Sequence, residues 1–424
     1  MTSSQAVALL AGLAVVIAAA GLLGGLARRL GQPPVVGEIL AGVVLGPTLF
    51  GGALSRALLP TDIRPFLTAL ADIGVAVFMF LVGLELDGTL IRGTGRIAAS
   101  VSLAALLLPC GLGAILGLYL LHDHPSANHA GFVLFMGAAM SITAFPVLAR
   151  ILTDRGMHRT PLGALALSCA ALSDVLAWSL LAVVVAIVAP GGDPWRTLLF
   201  LPYLLLMLHP VRRLAGPLLK RLTPTGRPTA ALLAAMFTGL LLSGAATEWM
   251  GLHFIFGAFL SGLAVPHTGT DRLRADLHER IGLVNNVLLL PVFFLVAGLQ
   301  VDLSRLSWSD LRELGLILLV AVGGKLVGAY AGAFAGGLDH RVSSALAVLM
   351  NTRGLTELII LSVGRQLGIL DGRLYSLMVV MALLTTAMTG PLLEKVYPRG
   401  LALRATPQDV TRRHRERIAV GDQG

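Results

Sequence analysis

Ser168-Cys169-Ala170-Ala171-Leu172-Ser173-Asp174-Val175 lies halfway along an apolar run from about Leu162 to Val188. A run of that length crosses the roughly 30 Å hydrocarbon core of a bilayer as one helix. Asp174 therefore falls near the membrane midplane, where an ionised carboxylate costs roughly 2.5–3.5 kcal/mol on insertion scales. The small residues before it, Ser168 to Ala171, let neighbouring helices approach closely. Two readings of the acid are open. It carries a cation and a proton in turn, or it is a structural aspartate satisfied by a buried partner. Intramembrane acids mark ion and proton pathways by default, which favours the first reading.

The whole chain agrees with a membrane setting. Of its 424 residues 56% are hydrophobic and 13% charged, against about 25% charged in soluble domains. The fold class is an all-α polytopic membrane protein in contact with the lipid bilayer, with about thirteen predicted spans: 5–26, 34–52, 66–86, 97–121, 130–152, 162–188, 197–215, 229–248, 251–266, 281–299, 313–336, 342–364 and 374–393. Cys110 and Cys169 both sit in apolar runs and read as reduced packing residues. Met1 to Val7 lack the basic segment that opens a signal peptide, so the first run is expected to be a retained helix. Loops holding Arg28/Arg29, Arg92/Arg96, Arg150/Arg155/Arg159, Arg212 to Arg227, Arg272 to Arg280 and Arg341 alternate with loops that hold far fewer basic residues. By the positive-inside rule the basic set is cytoplasmic, with the N-terminus outside and the C-terminus inside a bacterial inner or plasma membrane. The net charge of +9 is then a topology signal, and no nucleic-acid partner is implied. No phosphate-binding loop, dinucleotide fingerprint, zinc spacing or catalytic triad stands out, so neither an enzyme nor a cofactor is expected, and transport must draw on ion gradients.

An internal repeat organises the spans. Gly37-Glu38-Ile39-Leu40-Ala41-Gly42 echoes Gly257-Ala258-Phe259-Leu260-Ser261-Gly262, about 220 positions later. Phe80-Leu81-Val82-Gly83-Leu84-Glu85-Leu86-Asp87 echoes Phe294-Leu295-Val296-Ala297-Gly298-Leu299-Gln300-Val301-Asp302, about 215 positions later. Asp87 and Asp302 fall on opposite sides of the membrane, so two inverted six-helix repeats are expected, with the seventh span as a linker. The fifth and twelfth spans should then correspond, and both carry breaks. The fifth holds Ser141-Ile142-Thr143-Ala144-Phe145-Pro146, in which Pro146 removes a backbone donor and disfavours helix at Phe145. The twelfth holds Asn351-Thr352-Arg353-Gly354. Crossed discontinuous helices bring half-helix ends to the midplane, where freed carbonyls with Ser141, Thr143 and Ser173 help Asp174 hold a monovalent cation.

Lys325 at the centre of the eleventh span and Arg353 in the break of the twelfth are the cations deep in the membrane. Lys325 pairs with Asp174, balances the half-helix dipoles, or exchanges a second proton itself. Arg353 and Glu357, four apart, share a helix face and are read as stabilising the break, because a guanidinium repels a cation. Glu38, Asp72, Glu85, Asp87 and His253 are weaker candidates near span ends or in packing positions.

These motifs resemble the monovalent cation:proton antiporter family 2, which includes Kef-type exchangers, from about Gly31 to Pro391. The carriers are Gly31-Gln32-Pro33-Pro34-Val35-Val36-Gly37-Glu38 with Leu45-Gly46-Pro47, Phe80 to Glu85, Ser141 to Arg150, Ser173-Asp174, Phe256 to Phe259 and Asn351-Thr352-Arg353-Gly354. The resemblance implies a sodium/proton antiporter-like fold and an elevator-type exchanger. It implies a membrane domain over 1–397 with interleaved core and dimerisation subdomains, and a homodimer. It implies that Asp174 is the ion-binding acid and Lys325 the core-domain base. The expected activity is exchange of Na+ or K+ for H+ by alternating access. The alternatives are an ion-coupled organic solute transporter of the same build, or a membrane scaffold or channel-like subunit. Electrogenic relatives often carry two adjacent acids where this chain has Ser173-Asp174, so electroneutral exchange is the leaning. Residues 398–424 form a short basic tail expected to be cytoplasmic, and a regulatory nucleotide-binding domain in cis is not expected.

Overall fold

Backbone polar groups in a bilayer must be satisfied within the segment, and the regular elements among the described residues are all helices. The computed structural model describes residues 2–85, 95–126, 128–157, 160–188, 194–222, 229–266, 270–304 and 307–398. In order the helices are α1 (Ser3–Arg29), α2 (Pro34–Leu45), α3 (Ala53–Leu58), α4 (Arg64–Glu85), α5 (Gly95–Leu120), α6 (His129–Ser141), α7 (Phe145–Asp154), α8 (Pro161–Val188), α9 (Pro194–Leu198) and α10 (Phe200–Leu206). They continue with α11 (Arg212–Leu222), α12 (Ala230–Trp249), α13 (Phe254–Leu263), α14 (Asp271–Val284), α15 (Leu290–Leu299), α16 (Trp308–Ala335), α17 (His340–Met350), α18 (Leu355–Gln366) and α19 (Gly372–Val396). Single π-turns join α10 to α11 and α14 to α15. Local chemistry sets several starts. Asn128, Thr229, Asp339 and Asp371 each accept a backbone N–H at the head of α6, α12, α17 and α19, and Ser307 with Asp310 forms a capping box on α16.

The expected count of thirteen spans is not confirmed. Among the described residues nine helices are long and apolar enough to cross a membrane, or ten if α17 and α18, bent by 43°, make one span. The predicted second and ninth spans contain only short apolar helices, α2 with 12 residues and α13 with 10. At 1.5 Å per residue these reach about 18 and 15 Å, well short of the hydrocarbon core. The predicted seventh span falls on α9 to α11, whose later part carries Arg212, Arg213, Lys220 and Arg221. Asp87 and the basic tail after Pro398 lie outside the described residues.

The chain divides into two units that interleave in sequence. One comprises Met1–Gly21, Glu38–Asp87 and Val185–Gln300; the other comprises Leu22–Gly37, Gly88–Val184 and Val301–Gly424. Within the first unit the echoing sequence motifs meet in space. A Cβ on Gly42 of α2 would overlap the Leu295 carbonyl of α15, and one on Gly262 of α13 would overlap the Phe80 carbonyl of α4. Gly42 and Gly262 are 220 positions apart; Phe80 and Leu295 are 215 apart. The reciprocal pair follows the same offsets: Gly83 lies on the Phe259 carbonyl and Gly298 on the Ile39 carbonyl. Glycine is needed at these four positions because backbone occupies the space a side chain would take.

Gly42→Leu and Gly262→Leu each force helices apart against backbone, which costs at least the 1–3 kcal/mol typical of overpacking. Both variants are expected to unfold at lower temperature than the parent and to lose a monodisperse peak in detergent. Gly111→Ala, where an added Cβ meets nothing within 4 Å, is expected to match the parent.

Candidate ion-binding site

Both predicted breaks are present in the second unit, and each satisfies the other. Helix α6 ends at Ser141, Ile142 and Ala144 are extended, and α7 starts at Phe145. Pro146 does not kink an intact helix. It lies in the first turn of α7, where its missing N–H is no loss, and Phe145 before it is helical. Helix α17 ends at Met350, and α18 starts after Gly354. The Ala144 N–H donates to the Thr352 carbonyl at 2.9 Å, and the Thr143 hydroxyl donates to the Met350 carbonyl at 3.0 Å. A Cβ on Gly354 would meet Val147 of α7 at 2.5 Å, so the glycine lets the two breaks close on each other.

The C-terminal end of α6 exposes carbonyls that no intrahelical donor reaches. Two buried cations take them. Arg353 donates to the Ala139 carbonyl at 2.8 Å, to the Met140 carbonyl at 2.6 Å, and to Glu357 at 2.7 Å. Lys325, wholly buried, donates to the Ser141 carbonyl and to the Thr143 hydroxyl, the latter at 2.7 Å. Positive charge here opposes the negative end of the α6 dipole. Lys325 makes no hydrogen bond to Asp174; its ammonium lies at the half-helix end, on Ser141 and Thr143. Arg353 bridges the break, and Glu357 lies in the first turn of α18, the favourable end for an acid.

Small residues aim these side chains. On α16, Gly324, Gly328 and Gly332 form a stripe against α5, where added Cβ atoms would meet Pro109 at 3.0 Å and crowd the carbonyls of Ala104 and Ser100. Lys325 follows the first of these glycines. Gly137 of α6 packs on Cys110 of α5 in the same way. Ser102 of α5 donates to the Cys169 carbonyl at 2.8 Å, tying in α8. Thr386 of α19 donates to the Arg353 carbonyl at 2.7 Å.

Asp174, projecting from α8, is 2% exposed, and neither carboxylate oxygen has a hydrogen-bond partner. The Phe145 N–H at the positive end of α7 faces it without full hydrogen-bond geometry. The neighbouring Ser173 hydroxyl is also buried and unpaired, as are the Asn351 amide, the Thr356 hydroxyl and one Glu357 oxygen in the same unit. Thr143 has used one donor and one acceptor site and keeps a lone pair, whereas the Ser141 hydroxyl is turned back to the Ala138 carbonyl at 2.7 Å. Carboxylate and hydroxyl oxygens are the donors that suit a hard cation. Among the described residues no group of three or more His, Cys, Asp or Glu side chains is placed to hold a metal ion. Glu38, Asp72 and His253 belong to the first unit, where Asp72 feels the charge of Glu248 and the His253 ring lies tilted against Phe254 at 4.4 Å.

The sequence reading passes over Thr356 and Thr386, whose only signal is proximity in sequence or space to the Asn351–Gly354 break. It also passes over a second charged cluster, in which buried His124 and Glu313 meet half-exposed Asp371 and Arg373, and which tertiary folding alone brings together.

Two interrupted helices that meet at buried charges in a polytopic protein define an ion-coupled secondary transporter. The chain belongs to the sodium/hydrogen exchanger transmembrane family, whose profile matches residues 14–395. The Na(+)/H(+) antiporter NhaS4 of Synechocystis sp. is 39% identical over 408 residues, covering 94% of this chain and 99% of that protein. Cation/H(+) antiporter 20 of Arabidopsis thaliana is 37% identical, with 91% of this chain and 48% of that protein covered. K(+)/H(+) antiporter 1 of Saccharomyces cerevisiae is 32% identical, with 87% and 44% covered. The chain thus spans about half the length of the plant and yeast relatives. The solved structure of the sodium proton antiporter MjNhaP1 from Methanocaldococcus jannaschii superposes with a TM-score of 0.62 over 94% of this chain and 99% of that one, at 16% identity, a likeness of fold. The family is one of cation:proton antiporters in the membrane, not of enzymes.

Removing one member of a buried ion pair strands the other, at about 3–5 kcal/mol. Arg353→Met is therefore expected to lower thermal stability sharply. Adding Glu357→Leu should restore part of the loss, the remainder reflecting the uncapped α6 carbonyls. A single variant as stable as the parent contradicts this assignment.

Proposed function

We propose that the protein exchanges Na+ or K+ for H+ across a bacterial inner or plasma membrane, with cation and proton competing for Asp174. The observation that carries this reading is the unpaired carboxylate of a buried Asp174 beside the Ser173 hydroxyl and the N-terminal end of α7. A buried carboxylate without a partner is costly. A bound monovalent cation relieves that cost in one state, and a proton relieves it in the other. Thr143 completes the oxygen set with its remaining lone pair, while the Ser141 carbonyl stays with Lys325. Lys325, Arg353 and Glu357 hold the broken helices in register. The relatives named for Na+/H+ and for K+/H+ exchange support the substrate class.

The cycle is alternating access. The second unit carries the ion as the core domain, and the first serves as the dimerisation domain of a homodimer. The recurring glycine contacts at offsets of 220 and 215 support an inverted repeat, the architecture through which secondary transporters reach both faces. The N-terminus is outside and the C-terminus cytoplasmic, following the basic loops. With a single acid at the site, one cation replaces one proton and exchange is electroneutral.

The test is cation-driven dissipation of an imposed pH gradient in proteoliposomes holding a trapped pH dye. Sodium or potassium is expected to collapse the gradient with the parent protein, while Asp174→Asn falls to the protein-free leak. Thr143→Val, which loses one oxygen and one Lys325 acceptor, is expected to raise the half-saturating cation concentration about tenfold. A parent without flux, or Asp174→Asn at parental rate, overturns the proposal.

A further inference from the structure

His124 follows the end of α5 and is only 2% exposed, although its neighbours His122 and Asp123 are in solvent. Its Nδ1 lies 2.6 Å from an Asp371 carboxylate oxygen, and its Nε2 lies 3.0 Å from a Glu313 carboxylate oxygen. Glu313 belongs to the second turn of α16, and Asp371 caps α19 through the Leu374 N–H at 2.7 Å. Behind them, Arg373 donates to the other Glu313 oxygen at 2.7 Å and pairs with Asp310 of the α16 capping box. Asp371 and Glu313 are thus the titratable groups that face the ring, with Arg373 and Asp310 as the next layer.

A neutral imidazole has one N–H and one lone pair. With carboxylate oxygens at hydrogen-bond distance on both sides, only the imidazolium can donate both ways. Deprotonation turns one of the two bonds into a lone pair facing a carboxylate. Electrostatics agree with the geometry. Burial works against charge on His124, but its bonds to Asp371 and Glu313 outweigh burial and hold its pKa above the usual value. Burial likewise works against charge on Asp371, and its bond to His124 outweighs that and holds its pKa below the usual value.

We propose that His124 is a proton-operated latch that ties the N-terminal ends of α16 and α19 to the end of α5, closed when protonated and released as the adjoining compartment turns alkaline. On the basic-loop topology this is the non-cytoplasmic face. Helix α16 carries Lys325, and α19 carries Thr386, the partner of the Arg353 carbonyl. Both latched helices therefore run from the latch to the two breaks, and protonation at one face stiffens the frame that holds them. This goes beyond the transport reading, and the latch itself does not depend on it.

The sign of the pH effect follows from linkage. A histidine whose folded pKa lies above its unfolded value contributes stability that is complete below the unfolded value, near 6.5, and is lost as pH rises through the folded one. The experiment is thermal unfolding of the full chain and of His124→Gln from about pH 5.5 to about pH 9. The parent is expected to exceed the variant at acid pH, with the difference in Tm shrinking toward zero at alkaline pH. A difference that stays constant with pH marks a merely structural contact and overturns the proposal, as does no difference at any pH. Should the variant not fold, backbone hydrogen exchange of residues 121–126 in the parent decides. Protection corrected for intrinsic rates is expected to fall up to tenfold per pH unit above the His124 titration, and protection independent of pH overturns the latch.

Discussion

Helix α6 stops inside the membrane, and its last carbonyls must be met by something other than water or its own backbone. Arg353 and Lys325 meet them at Ala139, Met140 and Ser141. Each unsatisfied group at that depth costs several kcal/mol, so the interruption of α6 exists only because these two cations reach it. The cations have needs of their own. Arg353 is held by Glu357 at 2.7 Å, and Lys325 lies in the field of Arg353, which opposes its charge, and of Glu357 and Asp174, which favour it. Two cations and two carboxylates sum to zero when all are ionised. On the proposed cycle the site carries one net positive charge in both loaded states, either through a protonated Asp174 or through an ionised Asp174 with its cation. Exchange then swaps one occupant for another without changing the charge the protein must bury.

The repeat contacts and the site rest on the same device. Glycine admits a neighbouring backbone where any side chain would collide, at Gly42, Gly83, Gly262 and Gly298 in one unit and at Gly324, Gly328 and Gly332 in the other. Lipid offers no hydrophobic drive for helix association, so close packing and hydrogen bonds must supply it. The hydroxyls of Ser102 and Thr143 each reach a carbonyl of another helix and that of Thr386 reaches the break at Arg353, locking the register that the glycines permit.

Much of this was legible in the sequence because membrane insertion punishes exceptions. A lone Asp174 in an apolar run, polar residues at 351–354, and Ser141 to Pro146 stand out against lipid-compatible surroundings. The breaks occur there, although the first lies just ahead of Pro146, since proline is favoured at the start of a helix. The number of spans was less legible. Hydropathy does not distinguish a full crossing from short apolar helices such as α2 and α13. The Lys325 partner was open because Ser141 and Thr143 are about 180 positions away. The His124 cluster was invisible because His124, Glu313 and Asp371 lie at or near helix ends and look like ordinary solvated residues until the fold joins them.

On the proposed mechanism cation and proton compete for one carboxylate. The most direct measurement is equilibrium cation affinity of the purified protein as a function of pH, by titration calorimetry with sodium and with potassium. Competition at a single acid predicts that the apparent Kd rises tenfold for each unit that pH falls below the titration of the site, with one proton released per cation bound, and that Asp174→Asn abolishes the heat. An apparent Kd that does not change with pH, or binding that survives in Asp174→Asn, would contradict the account.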